Sequence, residues 1–562
     1  MKHALLACCL LIPSLAVRAA DIQTLLDDAV AKGEKRIVIP PGEHRLDEAL
    51  KIKDLSGVEI VGEEALLVFT NVRDGGLAIA DCENLTLRGF TIDFDPLPFT
   101  QGVIESVDAE KGVVRYTVHE GYPDLTADYV SHRAHIFTPD TRVWKPSAPD
   151  IYASSGRALT PRRGELVFAR DRRWQLAHVA PGDLIVQDIR RERGVRIDRC
   201  SDITVEGVTI WSAPGIAMTV RFVDGENRFS FRVGRGPTPP GATEPRLLST
   251  SADAFNYAYA RTGLVLENCD FSFMGDDSVN LHGIAFAVAE SEGSTLRLIR
   301  PYGHEAFDKV IRPGDEVRGI AQGNFDITGS STVVSVARES SPDPRFVELL
   351  PTLFPHVRGE RFSIYRLELT APLALAAGDF VEIPAIAAAG YTIRNNRFGH
   401  HRGRALRLMS SRGLVENNHI EGVKQAAITL GPEFVGFREA GWVENVVLRG
   451  NTILDSCFDP GLVRHASYTP GAISVMHRGE TPDAPRPVVA RHRNITIENN
   501  RIENVGGPAI HINQAAGVRI VNNRISRANQ APAAANNNRY GLTTDRPIGI
   551  DASEDVLVVP GE

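Results

Sequence analysis

Cysteine is scarce in this sequence. Six occur in 562 residues, and no pair has the CxxC spacing of a zinc ribbon or finger. Cys8 and Cys9 fall in the apolar N-terminal stretch. Cys82, Cys200 and Cys269 each sit in or beside a strand-like segment and read, with Cys457, as small core residues. An oxidising compartment would leave disulfides among these four open. An excess of one charge is also missing. The net charge of -8 gives no basic patch for nucleic acid and nothing to draw the chain to a membrane surface. Long apolar runs are absent beyond the N-terminus. The best internal stretch, "LTAPLALAAGDFVEIP", is broken by Asp379 and Glu382, so no bilayer span is expected. There is no P-loop, dinucleotide fingerprint or HExxH zinc motif.

What is present begins with a leader. Lys2 and His3 precede an apolar run from Ala4 to Leu15, and Val17-Arg18-Ala19 fits a small-residue cleavage site. Residues 1–19 therefore read as a signal peptide, and the mature protein as exported, periplasmic or secreted. With 43% hydrophobic and 23% charged residues the rest is ordinary for a soluble protein. At this length a single compact core is not expected, so the choice is between several domains and an elongated repeat.

The repeat is visible. "ENLTLRGFTID", "SDITVEGVTIW", "YTIRNNRFGH", "RGLVENNHIEG", "RNITIENNRIEN" and "AGVRIVNNRIS" share one grammar: a short alternating strand, Asn or Gly at a turn, a second short strand. Asn395-Asn396 and Asn417-Asn418 are 22 residues apart, and Asn499-Asn500 and Asn522-Asn523 are 23 apart. That period, with β-branched strands and Asn turns, predicts an all-β, right-handed parallel β-helix. Asn tolerates left-handed turns, and stacked Asn side chains can bond along the coil. "IQTLLDDAVAKG" has helical apolar spacing and is expected to plug the open end.

Two segments break the period and alternate like hairpins, each with a "PGD"- or "AGD"-type turn. They predict two inserted small β-barrel or sandwich domains. The expected layout is a first β-helix part with its capping helix over 20–95, an insertion over 96–190, and coils carrying the functional residues over 191–284. A second insertion over 285–388 and a final β-helix part over 389–562 complete it.

"FMGDDSVNLHG" places Asp276 and Asp277 side by side after Gly275, and Asp253 lies 23 residues earlier, one coil away. Equivalent places on successive coils are roughly 4.8 Å apart at the backbone. Gly275 could kink the chain and turn both neighbours outward. Three carboxylates on one patch raise one another's proton affinity, so that one can stay protonated near neutral pH. Glycoside hydrolysis uses such a pair, one acid for the leaving oxygen and one base for water. Structural turn aspartates and a calcium site are the competing readings.

The run "TSADAFNY" followed by "ENCDFSFMGDDSVNLHG" resembles the active-site region of glycoside hydrolase family 110, the exported α-1,3-galactosidases. That resemblance implies a β-helix with β-barrel insertions. It also implies inverting removal of terminal α-linked galactose from a carbohydrate, with no metal or other cofactor, by Asp253, Asp276 and Asp277. By analogy with Gly-Asp-Asp sites in related β-helix hydrolases, Asp276 would be the general acid, and Asp253 and Asp277 would hold the water. Polygalacturonases of family 28 share the aspartate logic, but their Gly-His-Gly and Arg-Ile-Lys signatures are missing here. Family 87 α-1,3-glucanases have a similar trio. A polysaccharide lyase and a non-catalytic glycan-binding β-helix are the remaining alternatives.

Four further residues are candidates for sugar contact. His282 and Asn280 follow the trio on the same coil and can bond hydroxyls. Glu433 and Trp442 lie in the excursion "GPEFVGFREAGWVEN", where an indole ring could stack on a sugar face. His400 and His401 adjoin one another without a metal-ligand pattern and read as surface or turn residues.

Overall fold

The structure, a computed structural model, describes residues 22–301, 305–340, 343–354, 361–434, 436–459, 470–477, 489–531 and 542–561. The proposed leader lies outside these residues.

Short strands with alternating apolar residues stack in parallel, coil upon coil. One stack is an eleven-stranded sheet running from Leu50–Lys53 to Ile548–Asp551. In it Leu50, Leu77, Val195, Met218, Phe255, Val279, Leu406 and Ile428 form one column, each in register with the next. All eight are buried, as the period of two requires for residues on the inner face. A 21-stranded sheet forms the rest of the wall. It consists of two parallel ladders that merge where Thr204–Ile210 and Asn227–Val233 run across both. The protein is thus a parallel β-helix.

The Asn pairs divide their labour. Asn395, Asn417, Asn499 and Asn522 take φ of 57°, 55°, 55° and 54°, the left-handed turn conformation. Their successors stack inside. Asn396 Nδ2 donates to Asn418 Oδ1, Asn418 to Asn451, Asn451 to Asn500 and Asn500 to Asn523, each at 2.9 Å. Each buried amide also accepts a backbone N–H, so the turn leaves no polar group of the ladder stranded. Cys269 occupies the next rung, its N–H donating to Asn396 Oδ1 at 2.9 Å. Cys82, Cys200, Cys269 and Cys457 are all buried free thiols.

The helix Ile22–Ala31 closes the first coil. Ile22, Leu26 and Ala29 enter the main core. Gln23 acts as a substitute strand, accepting from Lys51 N–H at 2.8 Å and donating to Lys51 C=O at 2.9 Å. The sheet edge therefore presents fewer open groups.

The two interruptions differ. Between Ala285 and Glu382, six strands close into a barrel with clusters of its own. Between Phe99 and Asp188, the strands form an open, seven-stranded antiparallel sheet, short of the closed barrel that the hairpin pattern allowed. The reason lies in the packing. Phe99, Ile104, Tyr116, Ile136, Trp144 and Ile185 belong to the same apolar cluster as the coil interior. The coil covers this sheet, so it need not cover itself. A buried ion pair, Arg246 with Asp93 at 2.7 and 2.8 Å, joins the loop between two coils to the strand just before the sheet.

Among the described residues no helix is long and apolar enough to cross a membrane.

Candidate active site

Three successive strands of the eleven-stranded sheet, Phe255–Ala258, Val279–His282 and Leu406–Met409, are each preceded by a functional loop. Asp253 precedes the first, Asp276 and Asp277 the second, Arg402 and Arg404 the third. The ladder extends into these loops. Ala254 N–H donates to Asp277 C=O at 2.9 Å, and Ser278 N–H donates to Arg404 C=O at 2.9 Å. Phe255 pairs with Val279, 24 residues on, so the coil here has 24 residues, one more than the sequence spacing implied. Asp253 is therefore in line with Asp277, and Asp276 sits one step before that line.

Two glycines make room for this. A Cβ on Gly275 would stand 2.4 Å from the Ser251 carbonyl oxygen, so close approach of the preceding coil, not a kink, demands glycine there. A Cβ on Gly403 would lie 2.4 Å from Asp277 Oδ1.

Arginines share out the carboxylates. Asp277 Oδ1 accepts the Arg404 backbone N–H at 2.7 Å, and Oδ2 takes the Arg404 guanidinium at 3.0 Å. Asp276 is bonded by Arg190 and, at 2.9 Å from Oδ1, by Arg402 Nη1. Burial alone would raise the Asp276 carboxyl, but Arg402 and Arg190 outweigh it and hold the group well below the usual carboxylate range. Asp253 has the opposite fate. Burial, then the charges of Asp276 and Asp277, push it well above that range, and Arg190 offsets this only in part. Of these two carboxyls Asp253 therefore holds a proton far more tightly than Asp276. The expectation that Asp276 is the proton donor runs against its two arginines.

A second layer flanks the trio. Asn256, Asn280 and Arg407 occupy one register row on the three strands. Arg407 Nη2 meets Glu433 Oε2 at 2.6 Å and Glu439 Oε2 at 2.8 Å. Asn280 Nδ2 donates to Glu439 Oε1 at 3.2 Å. The two glutamates exchange backbone bonds of 2.9 and 3.0 Å, which fixes the excursion that carries them. His282 Nδ1 donates to the Gly283 carbonyl at 2.7 Å, leaving Nε2 to face Asn256 Nδ2 at 3.4 Å and Glu439 at 3.6 Å. Burial lowers the proton affinity of this imidazole, so it works as a neutral acceptor. His282, Asn280 and Glu433 are thus gathered in one layer beside the aspartates.

Trp442 is not part of it. Only 3% exposed, it packs with Phe380, Phe434 and Ala440 where the barrel meets the coil, and its ring lies 5.1 Å from His492. Phe434, His477 and His492 surround the ring, so the proposed sugar platform is a core residue. His401 is likewise no surface residue. Fully buried, it is pushed down to about 3 by burial and bonds Ser278 Oγ at 2.8 Å.

Arg190, Arg402, Arg404, Arg407, Asn256 and Glu439 escaped the sequence reading. The run "HHRGRALRL" carries three of the arginines, but the barrel puts 127 residues between Arg404 and Asp277. Among the described residues no group of three or more His, Cys, Asp or Glu side chains is arranged to hold a metal ion.

No protein-family model matches the chain. Over 502 residues it is 27% identical to an α-1,3-galactosidase A of Bacteroides fragilis, covering 87% of this chain and 77% of that one. It is 24% identical over 492 residues to an α-1,3-galactosidase B of Parabacteroides distasonis, covering 82% and 74%. Among solved structures, an exopolygalacturonase from Thermotoga maritima is similar over 90% of this chain and 82% of that one, with 13% identity and a TM-score of 0.38.

Proposed function

We propose that this chain, whose kinship with the α-1,3-galactosidases is consistent with glycoside hydrolase family 110, removes terminal α-1,3-linked galactose from glycans with inversion at the anomeric carbon. The observation that carries the reading is the opposite treatment of two neighbouring carboxyls: Asp253 is driven to keep its proton, and Asp276 is held as an anion by Arg190 and Arg402. Groups whose proton affinities are pushed apart in this way divide the acid and base roles between them.

In the proposed reaction Asp253 delivers its proton to the glycosidic oxygen as the bond to galactose breaks. Water attacks the opposite face of the ring. It becomes acidic as it bonds to the anomeric carbon, so a carboxylate of low proton affinity suffices to accept its proton. Asp276 takes that role, since its side chain is 23% exposed against 4% for Asp277. Asp277, locked by Arg404, orients the water. Inversion needs about 6.5–9.5 Å between acid and base to leave room for that water. Asn256, Asn280, His282 and the Glu433–Arg407–Glu439 group supply donors and acceptors for sugar hydroxyls.

The reaction is metal-independent in this reading. Arginines already supply the positive charge beside Asp276 and Asp277 that a divalent cation would otherwise bring, and they would repel one. Export of the mature chain, after cleavage behind Ala19, belongs to the same proposal and rests on the leader-like residues 1–19.

The test is release of galactose from α-1,3-galactobiose in EDTA, with the α-1,4 and α-1,6 isomers alongside. Selective cleavage of the α-1,3 isomer supports the reading. No cleavage of any of the three, or cleavage only after calcium is returned, rejects it.

A further inference from the structure

Arg402 has a second carboxylate partner, and it comes from the inserted sheet. Asp150 lies 252 residues before Arg402, immediately ahead of the edge strand Ile151–Tyr152. Asp150 Oδ1 accepts from Arg402 Nε at 2.7 Å, and Oδ2 bonds the Nη2 arm. The remaining nitrogen, Nη1, is the one that meets Asp276 Oδ1 at 2.9 Å and the Gly275 carbonyl at 3.3 Å. The guanidinium is a rigid plane. With Nε and Nη2 fixed on Asp150, the direction of Nη1 is fixed as well.

The surroundings support the arrangement. The Asp150 side chain is 4% exposed and that of Arg402 10%. Tyr152 Oη stands 3.4 Å from Arg402 Nη2, and Lys424 Nζ 3.7 Å from Asp150 Oδ1. A buried carboxylate facing two cations is costly to place, and removing it leaves those cations uncompensated.

We infer that Asp150 is a positioning residue of the active site: through Arg402 it sets the place of Asp276, so the inserted sheet completes the catalytic centre. In kinetic terms this rests on the hydrolase reading above; in structural terms it does not. The inserted sheet is then more than a wall beside the site.

The experiment is a double-mutant cycle with one crystal structure. Asp150→Asn is expected to lower kcat on an α-1,3-galactoside on the order of 10-fold to 100-fold, as a displaced catalytic group does, with KM changed by no more than about twofold. Asp150→Glu, which keeps the charge, should recover most of the loss. In an Arg402→Gln background, Asp150→Asn should cost nothing further, because its effect passes through Arg402. Full kcat in Asp150→Asn, or losses that simply multiply in the double variant, overturn the inference. The crystal structure of Asp150→Asn is read without any substrate. Arg402 Nη1 displaced from Asp276 supports the inference, and Arg402 unmoved rejects it. If the wild-type protein cleaves no galactoside, the hydrolase reading fails while the crystal structure still decides the role of Asp150.

Discussion

Asp253 and Asp277 stand in line on successive coils, joined by the Ala254 N–H bond to the Asp277 carbonyl at 2.9 Å. The paired strands that follow fix this register, with Phe255 opposite Val279 and Asn256 opposite Asn280. One carboxylate of this pair is clamped by Arg404, while the other has its proton affinity raised by burial and by its neighbours. The chemistry proposed here depends on the contrast between Asp253 and Asp276, the carboxyl one step before this line.

The acid role can be separated from the others by leaving group. Asp253→Asn keeps size and one acceptor but cannot deliver a proton. General acid catalysis contributes about 10²–10⁴-fold, so turnover of a natural disaccharide should fall by a factor in that range. An aryl galactoside with a good leaving group needs little protonation and should fall far less. Asp276→Asn should slow both substrates alike, since both need the water activated. Steady-state rates on the two substrates settle the assignment. Leaving-group dependence in Asp276→Asn instead would exchange the two roles.

Stability should depend on pH with opposite signs at these two positions. Asp253 binds its proton more tightly folded than unfolded. Its contribution is fully present below the unfolded value of about 3.9 and is lost as pH rises through the raised folded value. Asp253→Asn removes that loss, so its melting temperature relative to wild type should climb as pH rises from the acid range to neutrality. Asp276 has a depressed folded value, and its contribution is present above the unfolded value and lost as pH falls through the folded one. Asp276→Asn takes the carboxylate away from Arg190 and leaves Arg402 to Asp150 alone, which costs stability. That deficit should be full at neutral pH and shrink in strong acid. Calorimetry of the three proteins across this range would show parallel curves if neither carboxyl is shifted.

Trp442 gives a test of burial against recognition. Trp442→Ala removes a buried ring and should cost about 3–5 kcal/mol of stability. Trp442→Phe keeps most of the packing, and KM for galactosides should stay within about twofold, because the ring touches no sugar. A large rise in KM for Trp442→Phe, with its melting temperature unchanged, would return the indole to the sugar site.

The legible part of the molecule is the part that repeats. Asn396, Asn418, Asn500 and Asn523 betray the coil because each rung needs the same side chain in the same turn, at a spacing the fold keeps nearly constant. The aspartate trio is visible for the same reason, being local to two coils. Its register is missed by one residue because the local coil takes 24 residues where the Asn turns suggest 22 or 23. The arginines are hidden by topology. Arg190 sits at the far end of one insertion, and Arg402 and Arg404 follow the other, so the ion pairs that hold Asp276 and Asp277 span 86, 126 and 127 residues. Trp442 is misread because its burial is imposed by Phe434, His477 and His492, which the fold brings around the ring. The closure of the second insertion and the openness of the first also depend on what covers each sheet, which hairpin patterns do not carry.

The central claim, a single displacement with Asp253 as acid and Asp276 as base, is tested most directly by the anomer first released. Proton NMR of wild-type protein acting on α-1,3-galactobiose, followed from the first minutes before mutarotation, should show β-galactose appearing first and the α anomer growing only later. Appearance of α-galactose first would mean retention through a covalent intermediate and would contradict the account.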